Sequence, residues 1–234
     1  MAVRIKVFAA LLPMVLLAGG CSDSGSPANM ATQSQNDSAA ASVSAPAADE
    51  KLVVAFGDSL YAGYQLEQNQ GFAPVLEQAL KAKGIAVRVQ NAGVSGDTTA
   101  AGLQRLAFTL DGQPRKPDLV ILGLGGNDML RGLSPDETRA NLDAILTELD
   151  KRGIETVMTG MLASPNMGPD YARAFNAIFP ALAKKHKALL YPFFLDGVVG
   201  HRELILADGI HPNDKGVKII VGHVAPVIAK ALAD

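Results

Sequence analysis

Short apolar runs and amphipathic stretches alternate along residues 50–234. The apolar runs are rich in Val, Ile and Leu, which predicts strands buried on both faces. These strands cover residues 51–56, 85–89, 118–124, 156–161 and 188–194. Between them, apolar residues recur at helical spacing, which predicts helices over residues 72–83, 98–110, 135–152, 171–185 and 213–233. Asp97 is predicted to be the N-cap of the helix over 98–110.

The alternation of strands and helices predicts βαβ units. Such units build one parallel sheet with helices against both faces, which is a three-layer αβα architecture of the α/β class. The segment contains no second linker-like stretch and no internal repeat. Residues 50–234 are therefore interpreted as one domain.

The first 20 residues have the layout of a secretory signal. Arg4 and Lys6 supply a positive start, residues 7–17 form a short apolar run, and residues 18–20 are small. The apolar run is short for a membrane span, which needs about 20 apolar residues. Residues 1–20 are therefore predicted to be a signal peptide.

Cys21 follows the small residues directly, and residues 17–21 resemble a bacterial lipobox, with Ala18 where Leu is usual. The resemblance predicts that Cys21 carries a lipid and ties an exported lipoprotein to a periplasm-facing membrane, and Ser22 favours the outer one. Residues 22–49 are mostly small and polar, which predicts a disordered tether. The alternative is an ordinary signal peptide with a cysteine near its cleavage site.

Composition excludes several classes of protein. The formal net charge is −2, without the basic excess of a nucleic-acid binder. A single cysteine cannot form an intramolecular disulfide or a multi-cysteine zinc site, and four histidines leave little for a histidine-rich metal cluster. We expect no metal, no organic cofactor and no obligate protein partner.

Polar and glycine-rich blocks follow the predicted strands or precede the last helix. They cover residues 57–60 (GDSL), 91–98, 125–128 (GGND) and 208–212. Ligands in open α/β sheets bind beyond the carboxyl ends of the strands. We therefore expect these blocks to converge at one edge of the sheet.

Within these blocks, three residues suit nucleophilic catalysis. A serine hydroxyl such as that of Ser59 needs a base, and a histidine oriented by a carboxylate is the usual one. Of the histidines, only His211 has an acid three positions earlier, Asp208. The N–H groups of Ser59 and Gly96 and the side-chain amide of Asn127 are the candidate donors to an oxyanion.

The four blocks resemble the SGNH subgroup of the GDSL hydrolases, and the similarity extends over roughly residues 51–234. The family's Ser, Gly, Asn and His fall on Ser59, Gly96, Asn127 and His211, with Asp208 as the third triad member. The resemblance implies a flavodoxin-like, doubly wound sheet of five parallel strands. It also implies hydrolysis of aryl and short-to-medium acyl esters, extending to lysophospholipids and acyl thioesters, without a cofactor.

Apolar residues near the blocks are candidates for an acyl pocket. They are Met129, Leu130, Met158, Met161 and Leu162, and the alternative is that they belong to the core. Asp58 and Asp128 flank the proposed site, where they are either supporting residues or turn formers.

Two other functions fit the same pattern. One is a carbohydrate O-acetylesterase on the same fold, although 5% aromatic residues and no Trp disfavour a sugar-stacking groove. The other is a non-catalytic lipoprotein that binds a nucleotide or lipid on a flavodoxin-like fold. Residues 123–126 do not have the spacing of a dinucleotide-binding motif, which weighs against a nucleotide.

Overall fold

A computed structural model describes residues 49–233. Its strands are β1 (Lys51–Gly57), β2 (Val87–Gly93), β3 (Leu119–Gly123), β4 (Glu155–Thr159) and β5 (Leu189–Tyr191). Its α-helices are α1 (Ser59–Ala62), α2 (Phe72–Ala82), α3 (Thr99–Asp111), α4 (Gly126–Leu130), α5 (Pro135–Arg152), α6 (Pro169–Asn176), α7 (Ile178–His186) and α8 (Asp214–Ala231). Short 3₁₀ turns cover Pro165–Met167 and Arg202–Leu204.

The strands form one parallel sheet in the order β2-β1-β3-β4-β5. This is the flavodoxin-like order, so the predicted fold class is confirmed. Successive residues of β1 face opposite sides of the sheet. Val53 and Ala55 pack in a core with α2 and α8, whereas Val54 and Phe56 pack in a second core with α3, α5 and α7.

Several predicted boundaries were wrong. The edge strand β2 runs to Gly93 rather than ending at residue 89, because it pairs with β1 along polar residues that carry no apolar signal. The helix predicted over 171–185 is divided at Ala177, since Pro180 has no N–H to donate to the carbonyl of Asn176. Helix α3 is capped by Thr98 and not by Asp97.

The predicted signal peptide, Cys21 and the tether lie outside the described residues, apart from Asp49, so they remain predictions. Within residues 49–233, no helix is both long and apolar enough to cross a membrane.

Candidate active site

Three strands end in glycine at the same level of the sheet. Gly57 of β1 is paired in register with Gly93 of β2 and Gly123 of β3. A Cβ atom on Gly57 or Gly123 would lie 2.4 or 2.2 Å from the ring of Tyr61, and one on Gly93 would lie 2.3 Å from the backbone nitrogen of Ala62. The absence of side chains at these three glycines, which we call the glycine floor, therefore leaves the space that helix α1 occupies against the strand ends.

Ser59 is the first residue of α1, a single helical turn. The carboxylate of Asp58 caps this turn by accepting a hydrogen bond from the N–H of Leu60 at 3.0 Å. Two residues beyond Ser59, the Tyr61 hydroxyl shares a 2.7 Å hydrogen bond with Thr159 Oγ1 of β4. An N–H at the first position of a helix has no intrahelical acceptor, so that of Ser59 is suited to bind a ligand atom.

A chain of hydrogen bonds joins Ser59 to Asp208. Ser59 Oγ lies 2.8 Å from His211 Nε2, and His211 Nδ1 lies 2.6 Å from Asp208 Oδ2. The other carboxylate oxygen of Asp208 accepts from the N–H groups of Ile210 and His211 at 2.9 and 3.1 Å. Burial alone would raise the pKa of Asp208, but these hydrogen bonds and the His211 ring lower it to about 2. An ionised Asp208 favours the tautomer in which Nδ1 carries the proton and Nε2 can accept a hydrogen bond from Ser59 Oγ.

The loop before α8 holds the His211 ring in place. The His211 carbonyl accepts a 2.7 Å hydrogen bond from the N–H of Leu206, and an antiparallel bridge pairs Ile205 with Pro212. The Tyr64 ring packs on the imidazole with 4.5 Å between ring centroids. Asn213 then caps α8 through its side chain, which accepts from the second and third N–H groups that follow it.

Gly96 and Asn127 lie at the same end of the sheet, and both line a pocket with Ser59. Asn127 is in the first turn of α4, and its Nδ2 donates to the carbonyl oxygen of Asp97 at 2.9 Å. Gly96 has φ +86°, a conformation that side chains disfavour. Its carbonyl accepts a 2.7 Å hydrogen bond from Arg131. The structure therefore brings the three residues predicted to supply oxyanion donors around one cavity.

That pocket has a volume of about 370 Å³. It is lined by Asp58, Ser59, Leu60, Tyr64, Ser95, Gly96, Gly126, Asn127, Met129, Leu130, Met161, Leu195, Ile210 and His211. Its mainly apolar walls surround the few polar groups at Ser59, which is typical of a small-molecule site.

For two residues the predicted place in the acyl pocket was wrong, because they do not line this cavity. Met158 lies inside β4, is 1% exposed and packs in the core against α5 and α7. Leu162 is 45% exposed and is absent from the pocket lining. Met129, Leu130 and Met161 do line the pocket: the first two lie in α4, and Met161 is the second residue after β4.

Residues 55–219 match the GDSL-like Lipase/Acylhydrolase family. The chain belongs to this family. Among curated relatives of this GDSL hydrolase, Esterase TesA of Pseudomonas aeruginosa is 42% identical over 166 residues, 71% of this chain and 81% of the relative. The Arylesterase of Vibrio mimicus is 40% identical over 185 residues, 79% of this chain and 91% of the relative.

Solved structures agree with this assignment. The crystal structure of AlinE4, an SGNH-hydrolase family esterase, is 51% identical to this GDSL hydrolase. The match has a TM-score of 0.68 and covers 79% of this chain and 98% of AlinE4. The predicted family and the enzymatic character of the chain are therefore confirmed, and a non-catalytic binding protein is excluded.

The two aspartates of the GDSL and GGND blocks of this hydrolase are buried supports. Burial raises the pKa of Asp58 to about 6, against the lowering effects of the Leu60 hydrogen bond and the charge of His211. Asp128 is 1% exposed and accepts hydrogen bonds from Thr99 and Thr138. It thereby joins the start of α4 to the starts of α3 and α5.

The sequence patterns missed several residues of the site. Tyr64 packs on His211, and Leu60, Leu195 and Ile210 complete the pocket wall. Leu60 and Ile210 lie inside the blocks at residues 57–60 and 208–212, whose polar members alone carry the catalytic pattern. Leu195 lies in a turn outside every block, where neither periodicity nor a motif marks it. Tyr64 follows the GDSL block so closely that its place beside Ser59 could have been inferred.

Proposed function

We propose that this GDSL/SGNH hydrolase, an esterase, cleaves carboxylic esters with Ser59 as nucleophile, His211 as general base and Asp208 as the residue that orients His211. The observation that carries the proposal is the continuous hydrogen-bond chain of 2.8 and 2.6 Å through the imidazole. A serine hydroxyl within reach of a base, which is itself oriented by a carboxylate, is the arrangement of an activated nucleophile.

The reaction has two halves. Ser59 Oγ attacks the ester carbonyl carbon while its proton moves to His211 Nε2, and the resulting oxyanion accepts hydrogen bonds from Ser59 N–H, Gly96 N–H and Asn127 Nδ2. The C–O bond to the alcohol breaks as His211 returns the proton to the leaving oxygen. A water molecule, deprotonated by His211, then attacks the acyl-enzyme, and the carboxylic acid leaves with Ser59 protonated again.

The pocket supports aryl and short-to-medium acyl esters as substrates. Met129, Leu130 and Met161 offer adaptable apolar contacts to an acyl chain next to Ser59. Acyl thioesters and lysophospholipids present the same carbonyl and an apolar chain, so we include them in the proposed range. Hydrolysis of p-nitrophenyl esters from acetyl to octanoyl measures that range, and acetyl-only activity would favour the carbohydrate O-acetylesterase instead.

The test of the nucleophile is Ser59→Ala. The variant should lose hydrolysis of p-nitrophenyl butyrate while circular dichroism remains that of the wild type. Ser95→Ala is the matched control, since it removes another serine hydroxyl that lines the pocket, and it should keep nearly full activity. Near wild-type turnover by Ser59→Ala would refute the assignment.

We also propose that the enzyme is an exported lipoprotein anchored through Cys21 to a periplasm-facing membrane. The small residues before Cys21 and the lipobox-like order support this proposal. Cells given a labelled fatty acid should incorporate the label into the wild-type protein and not into Cys21→Ala. A Cys21→Ala protein that still partitions into membranes would contradict it.

A further inference from the structure

One arginine beside the active site has no role in the mechanism above. Arg105 lies on α3 with its side chain 20% exposed, and it extends back toward the start of that helix. Its Nε donates to Asp97 Oδ2 at 2.6 Å, and its Nη2 donates to the carbonyl oxygen of Gly57 at 3.0 Å. The guanidinium also stacks over the ring of Phe56, 4.0 Å from the ring centroid.

These contacts bind two segments that carry the candidate oxyanion donors. Gly57 lies two residues before Ser59, and Asp97 directly follows Gly96. The carbonyl of Asp97 accepts the 2.9 Å hydrogen bond from Asn127 Nδ2. Asp97 therefore contacts Arg105 through its carboxylate and Asn127 through its backbone.

We propose that Arg105 is a positioning residue that sets the relative placement of the three oxyanion donors. The inference rests on the proposed function, because it assigns Arg105 to the oxyanion site of that reaction. The guanidinium holds the strand end before Ser59 and the loop after Gly96 at one fixed separation. It touches no reacting atom, so its effect on catalysis is exerted through Gly57 and Asp97.

The geometry requires an arginine. A planar guanidinium donates in separate fixed directions while its face stacks on an aromatic ring, whereas a lysine ammonium is a compact charge on a flexible stem. Misplacement of catalytic groups by about 1 Å costs on the order of 10²-fold in rate. Loss of Arg105 should therefore lower kcat more than it raises KM, because the donors act on the oxyanion and not on the bound ester.

The test is carried out on the full-length protein with p-nitrophenyl butyrate. Arg105→Ala should lower kcat by at least about tenfold with KM within about threefold of the wild type. Arg105→Lys should remain impaired, and guanidinium added far below denaturing concentration should restore part of the Arg105→Ala rate. If Arg105→Ala does not fold, the test passes to Arg105→Lys and to Asp97→Asn, which keeps both backbone groups of Asp97.

Arg152→Ala is the matched control. Arg152 is similarly half-buried and binds the carboxylates of Asp111 and Glu148, but at the far end of α3 and α5. The Arg152→Ala variant should have a lower free energy of unfolding than the wild type but an unchanged kcat. A folded Arg105→Ala or Arg105→Lys with kcat within about threefold of the wild type, or an equal fall in Arg152→Ala, would overturn the inference. If Ser59→Ala retains activity, the proposed function itself fails, whatever the arginine variants do.

Discussion

A single methyl group at Gly123 should both destabilise the domain and disable the site. Gly123 ends β3 under the ring of Tyr61. In Gly123→Ala, the new Cβ would lie 2.2 Å from Tyr61 Cε2 and 2.4 Å from both Cζ and the hydroxyl oxygen. Carbon atoms in contact are normally about 3.5–4.0 Å apart, so the ring must move by more than about 1 Å.

The surroundings of Tyr61 set the magnitude. The ring is 1% exposed and packs against Phe72 and Phe194 with centroids 4.9 and 5.1 Å away. Overpacking of this kind costs about 1–3 kcal/mol, and separating the buried hydroxyl from Thr159 costs about 1–3 kcal/mol more. We expect the free energy of unfolding to fall by about 2–6 kcal/mol. Because Ser59 shares the helical turn with Tyr61, kcat should fall on the order of 10²-fold.

Urea unfolding followed by circular dichroism and the rate of p-nitrophenyl butyrate hydrolysis measure the two effects. Gly222→Ala is the control, since its added Cβ on α8 would have no atom within 4 Å apart from its chain neighbours and the backbone of its own helix, and it should stabilise by about 0.5–1 kcal/mol. In a Tyr61→Ala background the Gly123 substitution should cost far less, because the clash is gone. Wild-type stability and kcat in Gly123→Ala would refute the account of the glycine floor.

Three further predictions concern single side chains. Asn127→Ala should lower kcat roughly 10²–10³-fold with little change in KM, as measured by steady-state kinetics. A decrease in kcat of less than about tenfold would show that the Asn127 amide is not an oxyanion donor. Asp208→Asn should lower kcat by up to about 10⁴-fold, because the amide supports the wrong tautomer of His211. Burial alone would lower the pKa of His186, but hydrogen bonds to Asp150 and Asp143 outweigh burial, so the pKa lies above its ordinary value. The ion pairs of protonated His186 should therefore stabilise the folded protein fully below about pH 6.5, and this stabilisation should be lost as the pH rises through the pKa of His186 in the folded state. The difference in free energy of unfolding between the wild type and His186→Gln should accordingly narrow at high pH.

Much of the fold follows from local patterns. Helix α5 occupies the predicted residues because its ends are marked by Ser134 as N-cap, Pro135 in the first turn and Gly153 in the left-handed conformation after it. Strands β1 and β3 were found because they are buried on both faces. The end of the edge strand β2 was predicted at residue 89 and not at residue 93, because its polar residues pair through the backbone alone.

The residues of the site also divide into those that short sequence motifs predict and those that depend on contacts between distant segments. Ser59, Asn127, Asp208 and His211 lie in short motifs whose residue types suit the chemistry, and the structure brings them together. The floor of glycines depends on the register of three strands that are distant in sequence. The contacts of Arg105 with Gly57 and Phe56 depend on the packing of α3 against β1, which no local sequence pattern predicts.

Covalent labelling tests the central claim most directly. The purified protein is treated with a fluorophosphonate, the residual esterase activity is measured, and the adduct is mapped by mass spectrometry of its peptides. We expect one adduct per chain, on Ser59, with activity lost in proportion to labelling and no adduct in Ser59→Ala. An adduct on another residue, or full activity in protein fully labelled at Ser59, would contradict the account.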